Sequence, residues 1–476
     1  MQSASGKALA KNSDLYWARV DASTSCFEDE SACSNPIEIL DVPIQQPHFT
    51  AQDHQQAEAP RRLSALSALR GHLGDPTKWA WKYRLISICQ RNSWSKLHIS
   101  KQMLRRVVEH HRVDPAFLEV PLSFFDRSTD EELSYTVPWT LQEDVDSFEV
   151  FYTFRHAEYK GHPNEPYVIR QTGVYQKYNM KEKSSLWILI NPVPESAAHR
   201  RIVDAFLHHQ EEMDQNPLWL HYVIQASYFP RWREYLAIYE KALLPLADTT
   251  AAAFIAEPLR VNHGTLSRLR SLESRFMPTS AILQSFSDIL SELGALAERL
   301  TLRDLMEENG NRLFVTAISN YRKQALNFIR TAQFLQQRSN TTAILVSDTV
   351  AFKNQEVSQE QNRNMLLLTR SAVFLTVLTL FYLPWTFMSG LFGMNFFMMD
   401  QDTYRFVTSP KLWIYFVSAV TLTLCTMILY YVVAGFPQLN TGRPRLAGNK
   451  ADMGNNGLKR GLTDLEKSVQ DGKKWS

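Results

Sequence analysis

The chain has 476 residues, of which 45% are apolar and 21% charged, and its formal net charge is +2. This near-neutral balance argues against a nucleic-acid partner or an acidic substrate. The four cysteines, Cys26, Cys33, Cys89 and Cys425, have neither metal-ligand nor disulfide-framework spacing, which indicates a reducing compartment for the soluble part.

Residues 1–75 are rich in Ser, Ala, Gln, Asp and Pro and show no sustained hydrophobic period. A segment of this composition is expected to be a disordered or loosely attached arm. No apolar run follows Met1, and Asp14 and Asp21 are unlike an acidic-poor transit peptide, so no targeting signal is expected.

Residues 76–310 are predicted to form an α+β domain, because strand patterns precede helical ones. Residues 79–121 have a helical pattern. Three runs rich in β-branched and aromatic residues then predict strands, at 148–154, 167–175 and 186–192. Helical patterns follow at 196–214, 218–248 and 261–307.

Neither Gly nor Pro occurs between Gly310 and Pro384. These residues, about 73, predict one helix of roughly 110 Å at 1.5 Å per residue, with residues 311–370 as a stalk that runs directly into a membrane. Apolar residues near the helical period predict lateral packing, at Leu313, Ile318, Leu326, Ile329, Phe334, Ile344, Val350 and Val357. Two or three shorter helices, broken near residues 339–342, are the alternative.

Two apolar segments, residues 371–395 and 412–435, are each long enough to cross a hydrocarbon core of about 30 Å. Both are apolar around their whole circumference, which is typical of lipid-facing or fully buried helices. Pro384 is tolerated in such a span, because Thr386 and Ser389 lie near the carbonyl that it frees. Two core helices of a soluble protein are the alternative.

Basic residues flank these spans unevenly. Residues 436–476 form a basic tail, whereas residues 396–411, the predicted outer loop, hold only Arg405 and Lys411 as positive charges. This asymmetry predicts that both termini are cytoplasmic. The plasma membrane is the expected location, with vacuolar and mitochondrial membranes left open, and the sequon at Asn340 is expected to be unused in the cytosol.

The first span ends in Gly393-Met394-Asn395 and carries the flanking elements Leu-Pro-x-Thr and Ser-Gly-x-aromatic-Gly-Met-Asn-Phe. This segment resembles the end of the first span in the CorA magnesium-transporter family. The second span near the C-terminus and the Pro-free stalk extend the resemblance over residues 311–435. The upstream segments 169–175 and 235–242 are similar to a divergent fungal branch of CorA-like proteins.

The resemblance implies a homopentamer in the lipid bilayer, with a CorA-like funnel of stalk helices beneath an α/β/α-like domain. It implies that hydrated divalent cations, magnesium foremost, are the transported species, and it implies no resident cofactor. The implied pore-lining residues are Thr369, Ala372, Leu375, Thr379, Leu383, Thr386 and Gly390. Leu375 and Leu383 would be the apolar constrictions that gate by dewetting.

A ring of Asn395 amide oxygens at the pore mouth suits magnesium, which dehydrates reluctantly and keeps several waters. Gly393 would let the backbone turn at the helix end, and Met394 would pack locally. In the outer loop, Asp400 and Asp402 would concentrate cations, although Arg405 and Lys411 offset their charge and the acidic sequence common in bacterial members is missing.

Gating by internal magnesium is also implied by the resemblance, and the stalk offers Asp348, Glu356 and Glu360 as candidate ligands. The adjacent pairs His110-His111 and His208-His209 look like metal ligands, but neighbours on a helix diverge by about 100°. They are expected to be ordinary surface residues.

A passive pentameric divalent-cation channel is therefore the predicted function. A CorA-like membrane scaffold or sensor without transport is the first alternative, and the nearly neutral outer loop keeps it open. An enzyme on a two-span anchor is the second, but the sequence has neither a Gly-rich phosphate loop nor a nucleophile elbow.

Overall fold

The structure is a computed structural model that describes residues 13–29, 37–44, 60–74, 81–127, 136–163, 165–252, 261–392, 397–399, 406–408 and 410–440. The chain divides into two compact units, Met1–Lys353 and Asn354–Ser476. The α+β class, the long helix and the two C-terminal apolar helices predicted from the sequence are confirmed.

A seven-stranded mixed sheet forms the centre of the first unit. Its strands are β1 Ile37–Pro43, β2 Arg61–Leu63, β3 Trp81–Cys89, β4 Thr140–Glu143, β5 Ser147–Tyr159, β6 Tyr167–Asn179 and β7 Ser184–Asn191. They lie in the order β2-β1-β3-β7-β6-β5-β4. Among these described strands only β3 and β7 pair in parallel, with Cys89 opposite Asn191 at their carboxyl ends.

The helical prediction for residues 79–121 is wrong at its start, because Trp81–Cys89 is the strand β3. A strand buried on both faces lacks the alternation of polar and apolar residues that marks a half-exposed one. Six consecutive residues of β3, from Tyr83 to Ile88, are buried, so the run reads equally well as a buried helix.

The arm predicted for residues 1–75 is wrong wherever the structure describes it. Residues 13–22 are helical, and β1 is inserted between β2 and β3 with Ile37, Ile39 and Leu40 buried. Alternating apolar residues in the short run Ile37–Pro43 bury enough surface to hold the strand despite the polar sequence around it.

Helices cover both faces of the sheet, which gives the α/β/α-like arrangement. On one face lie residues 13–22 with the helices α1 Leu66–Gly74, α2 Lys101–His111 and α3 Glu119–Leu122, and Pro115–Leu118 forms a 3₁₀ turn. On the other lie α4 Ala197–His208, α5 Gln210–Gln215, α6 Trp219–Tyr228, α7 Arg231–Ala251 and α8 His263–Leu302.

Side-chain caps fix where these helices begin. The Ser100 hydroxyl accepts from the Met103 N–H at the start of α2, and the Ser196 hydroxyl accepts from the His199 N–H at the start of α4. Asn262 and Thr265 form a reciprocal capping box at the start of α8. Because the α4 cap follows β7 directly, it places the first turn of α4 at the carboxyl edge of the parallel pair.

The helix α9 spans Glu308–Phe392 without interruption, so the alternative of a break near residues 339–342 is wrong. The buried Ser339 hydroxyl donates to the Leu269 carbonyl of α8 at 2.8 Å, which ties this stretch laterally. Ile318 and Ile329 pack into the core as predicted, whereas Leu313 and Phe334 are more than half exposed.

The second unit contains the end of α9, the short strands β8 Phe397–Met399 and β9 Phe406–Thr408, and the helix α10 Leu412–Asn440. The two strands pair antiparallel. The loop predicted at residues 396–411 therefore contains two short paired strands.

Candidate functional site

Two helices are long and apolar enough to cross a membrane. Windows of 18 residues reach a mean hydropathy of 1.9 in α9 and 2.0 in α10. None of this stretch of α9 is buried inside the protein, and 11% of the stretch in α10 is buried. The alternative of two core helices of a soluble protein is therefore rejected, because core helices hide their apolar surface.

The two apolar helices pack together along one face of α9. The Trp385 ring lies 6.2 Å from the rings of Tyr415 and Phe416, and Ser389 Oγ lies 2.8 Å from Tyr415 Oη. Met388 is buried beside them, and on α10 the small Ala419 is fully buried. Small residues of this kind let membrane helices approach closely.

The predicted pore-lining residues lie on another face of α9. Thr369, Ala372, Leu375, Thr379, Leu383, Thr386 and Gly390 are all exposed. Successive residues of an α-helix are rotated by about 100° around its axis. On this basis the predicted pore positions lie, on average, on the side of α9 roughly opposite to Pro384, Trp385 and Met388. Between residues 354 and 379 every side chain of α9 is exposed, and contacts with α10 lie near residues 384–389. The predicted pore positions lie roughly opposite to that contact.

Threonine hydroxyls on this face bond to the helix backbone. Thr369 donates to the Met365 carbonyl, and Thr379 donates to the Leu375 carbonyl, each at 2.8 Å. Such bonds to the preceding turn are the common role of threonine in apolar helices. Each hydroxyl keeps its lone pairs as acceptors, so these positions stay mildly polar.

The predicted pore mouth, Gly393, Met394 and Asn395, lies outside the described residues, and so do Asp400 and Asp402. At Gly390, a Cβ atom would meet nothing within 4 Å among the atoms described. A single chain therefore does not demand glycine at this position.

The stalk carboxylates Asp348, Glu356 and Glu360 are all exposed on α9. Within the described ranges, no group of three or more His, Cys, Asp or Glu side chains is placed to hold a metal ion. His208 and His209 have exposed side chains, as expected for surface residues. His111 departs from that expectation. Burial, followed by the charge of Arg84, holds its pKa well below the usual range.

A second candidate site lies in the first unit, where sequence reasoning predicted none. It is a cavity of about 80 Å³ at the carboxyl ends of β3 and β7. Its walls come from β1, β2, β3, β7, the β7–α4 connection and α4. They comprise Glu38, Arg62, Ser87, Cys89, Asn191, Pro194, Glu195 and His199. In open α/β sheets, ligands commonly bind outside the carboxyl ends of the strands.

Hydrogen bonds link the side chains of the inner wall of this cavity into one chain, in which each donor and acceptor can be assigned. His199 Nε2 lies 2.8 Å from a Glu38 oxygen, and His199 Nδ1 lies 2.9 Å from Ser87 Oγ. The hydrogen bond from His199 lowers the pKa of Glu38 against the opposing effect of burial, so the carboxyl is ionised and Nε2 carries the proton. Nδ1 then accepts from the Ser87 hydroxyl, whose oxygen accepts from Asn191 Nδ2 at 3.0 Å.

This serine–histidine–glutamate chain resembles the arrangement that activates a nucleophile. However, Ser87 is only 5% exposed, and its oxygen already accepts from Asn191. The network is therefore better described as a satisfied polar wall than as an active centre.

The charged side chains that line the mouth of the cavity are more exposed than those of the inner wall. Arg62 Nε donates to Glu38 at 2.7 Å, while a terminal nitrogen of Arg62 lies 3.4 Å from Glu195. A wider cleft of about 270 Å³ continues outward and adds Pro60, Arg200 and Val203. Inside, burial and the nearby Glu38 raise the pKa of Cys89 to about 11, so its thiol stays protonated.

A family model for CorA-like transporters matches residues 7–143 of this chain. This match lies outside residues 311–435, so it supports the recognition as a CorA-type protein from a different part of the sequence. No curated protein matches the chain.

Several solved structures align with the chain, among them the following three. The CorA magnesium transporter from Methanocaldococcus jannaschii is 13% identical, with 83% of this chain and 97% of that chain covered and a TM-score of 0.30. The full-length CmaX protein is 13% identical, with 84% and 98% covered and a TM-score of 0.33. The ZntB cytoplasmic domain from Vibrio parahaemolyticus RIMD 2210633 is 14% identical, with 68% and 99% covered and a TM-score of 0.32.

The family match and the two unburied apolar helices identify an integral membrane protein with CorA-like features.

Proposed function

We propose that this chain forms a homo-oligomeric channel for hydrated divalent cations, with magnesium as the main cargo and five copies around the pore. Two spans per chain cannot enclose a conduction path, so several copies must contribute equivalent faces. The number five comes from the resemblance to the CorA family.

The exposed side of α9 opposite to Pro384, Trp385 and Met388 is the observation that carries this proposal. It presents Leu375 and Leu383, which are 60% and 61% exposed, together with the weakly polar threonines. A face that alternates apolar and mildly polar groups suits a pore in which a hydrated ion passes without being held tightly. The covered face, with Trp385 and Met388, would support the pore helix from behind.

Self-association also accounts for apolar side chains that the stalk leaves exposed. Leu313, Phe334 and Ile344 are 71%, 59% and 48% exposed on α9. Exposed apolar surface along a long helix favours contact with further copies. Asp348, Glu356 and Glu360 are equally accessible there, and we propose them as ligands for internal magnesium that stabilises the closed state.

At the pore mouth, we propose that Asn395 binds the water shell of the ion and that Asp400 and Asp402 attract cations from outside. With both termini cytoplasmic, the membrane potential drives uptake. The potential contributes about 2.3 kcal/mol per elementary charge per 100 mV, and hence about double for a dication. We propose the plasma membrane as the location.

Magnesium uptake in transport-deficient cells tests this function. The wild-type chain should restore uptake, and Asn395→Ala should lower it strongly, because the ring loses its acceptors for the hydrated ion. Asn354→Ala, which removes an exposed amide from the stalk of α9, is the matched control and should transport like the wild type.

Equal uptake by the wild type and Asn395→Ala would exclude the selective ring. A correctly inserted wild-type oligomer without any uptake would instead favour the CorA-like scaffold or sensor.

A further inference from the structure

The cavity at the carboxyl ends of β3 and β7 is not explained by cation transport. The inner cavity and the outer cleft share Glu38, Arg62, Glu195 and His199 as lining residues, so they form one continuous depression in the first unit. Its size is that of a small organic molecule rather than of a single water.

The polar side chains in the inner wall of this depression are hydrogen-bonded to one another. Glu38 accepts from His199 on one oxygen and from Arg62 on the other. Ser87 donates to His199 and accepts from Asn191. Because these groups satisfy one another, the wall is rigid and keeps its shape whether or not a ligand is present.

At the rim, in contrast, the guanidinium groups keep N–H donors that are available to a ligand. A guanidinium has five N–H groups in a planar fork, and Arg62 uses its Nε on Glu38 but reaches Glu195 only at 3.4 Å. Both partners of that contact are more than half exposed, so the contact contributes little and is easily exchanged. Arg200 lines the same rim and pairs with no carboxylate among the described residues.

Glu195 is held at the rim by an unusual backbone. Its φ is 50°, in the left-handed region that residues other than glycine adopt only rarely. The carboxylate is therefore presented to the Arg62 fork by the connection between β7 and α4, in the position that a ligand carboxylate would take.

We propose that this depression binds a small organic anion, a carboxylate or a phosphate monoester. The anion displaces the Glu195 carboxylate from Arg62 and receives a second charged contact from Arg200 at the rim. A cationic ligand fits less well, because it would have to approach the guanidinium groups of both Arg62 and Arg200.

Calorimetric titration of the purified full chain in detergent tests the proposal, with succinate and inorganic phosphate as anionic probes and putrescine as the cationic one. At least one anion should bind saturably. Arg62→Gln and Arg200→Gln should each raise its Kd about tenfold, as expected for the loss of one charged hydrogen bond. Arg61→Gln, on the opposite face of β2, and Arg201→Gln, the next residue of α4, should leave the Kd unchanged.

Saturable binding of neither anion, an unchanged Kd in Arg200→Gln, or binding of putrescine alone would overturn the proposal. Arg200 lies on a helix surface and takes no part in the sheet, so its variant remains informative if Arg62→Gln perturbs the edge strand β2. Binding is measured without cation flux, so its outcome is independent of the transport experiment.

Discussion

Removing the Asp41 carboxylate should destabilise the first unit severely. Asp41 on β1 lies directly opposite Arg84 on β3 and accepts two hydrogen bonds from it, at 2.6 and 2.8 Å. His72 Nε2 adds a third contact at 3.1 Å. The Arg84 side chain is only 1% exposed, so Asp41→Ala would remove a carboxylate that pairs with a buried cation.

Breaking a buried ion pair by removing one partner costs about 3–5 kcal/mol. That is a large part of the total stability of a domain, about 5–15 kcal/mol. The loss should also reach the cavity, because the same register of β1 on β3 places Glu38 opposite Ser87. A slip by one residue would turn both side chains to the other face of the sheet.

Urea unfolding of the full chain, followed by tryptophan fluorescence, measures this effect. Trp81 contributes to this signal together with the other tryptophans of the chain, and the Arg84 guanidinium lies 5.0 Å from its ring. Asp146→Ala is the matched control, because Asp146 makes a 2.5 Å ion pair with Lys181 on the exposed surface. The control should lose at most about 1 kcal/mol. If Asp41→Ala lost no more than Asp146→Ala, the reasoning from burial would be refuted.

Acidification should weaken the same contact. Burial by itself would raise the pKa of Asp41, but hydrogen bonds from His72 and Arg84 outweigh it and lower that pKa below its ordinary value of 3.8. The stabilisation is therefore fully present above that ordinary value and is lost as the pH falls through the lower, folded-state pKa.

Two further predictions concern the same unit. Gly173→Ala should cost about 1–3 kcal/mol of unfolding free energy, because its Cβ would lie 2.6 Å from Val120 Cγ1. Gly294→Ala is the matched control: its Cβ would have nothing within 4 Å, and it should stabilise α8 by up to about 1 kcal/mol. Urea unfolding midpoints of the two variants measure the difference, and equal shifts would contradict the packing argument. Burial lowers the pKa of His221 to about 3. Burial, followed by the charge of Arg170, lowers the pKa of His156 to about 3. Both side chains are therefore neutral in the folded protein, and their contribution to its stability is fully present above the unfolded pKa near 6.5. Between pH 6.5 and 5.5 the unfolding free energy should fall by about 1 kcal/mol for each, and His221→Gln, but not the exposed His208→Gln, should flatten that slope.

The membrane part and the stalk could be predicted from the sequence because their signals are local. A charge-free run and a long segment without Gly or Pro leave few alternatives to helices. The face of α9 that packs on α10 was less accessible, since nearly every side chain there is apolar. It became clear only from the rings of Trp385 and Tyr415.

The cavity could not have been predicted, because Glu38, Arg62, Ser87 and Cys89 in its lining came from segments whose structure was misassigned. Glu38 lies in the predicted arm, and Ser87 lies in the predicted helix. Their meeting depends on pairing between strands far apart in sequence, which no local pattern encodes. The one available signal was Asn191-Pro192 at the end of a predicted strand, followed by Ser196 and His199 at a helix start.

The parallel pairing of β3 with β7 has a consequence for how the protein is made. About 95 residues separate the end of β3 from the start of β7. A ribosome adds about 5–20 residues per second, so β3 emerges several seconds before its central partner exists. During that interval one edge of β3 is open to pairing with other chains. The first unit should therefore need a holding chaperone early in synthesis, well before either membrane span leaves the ribosome.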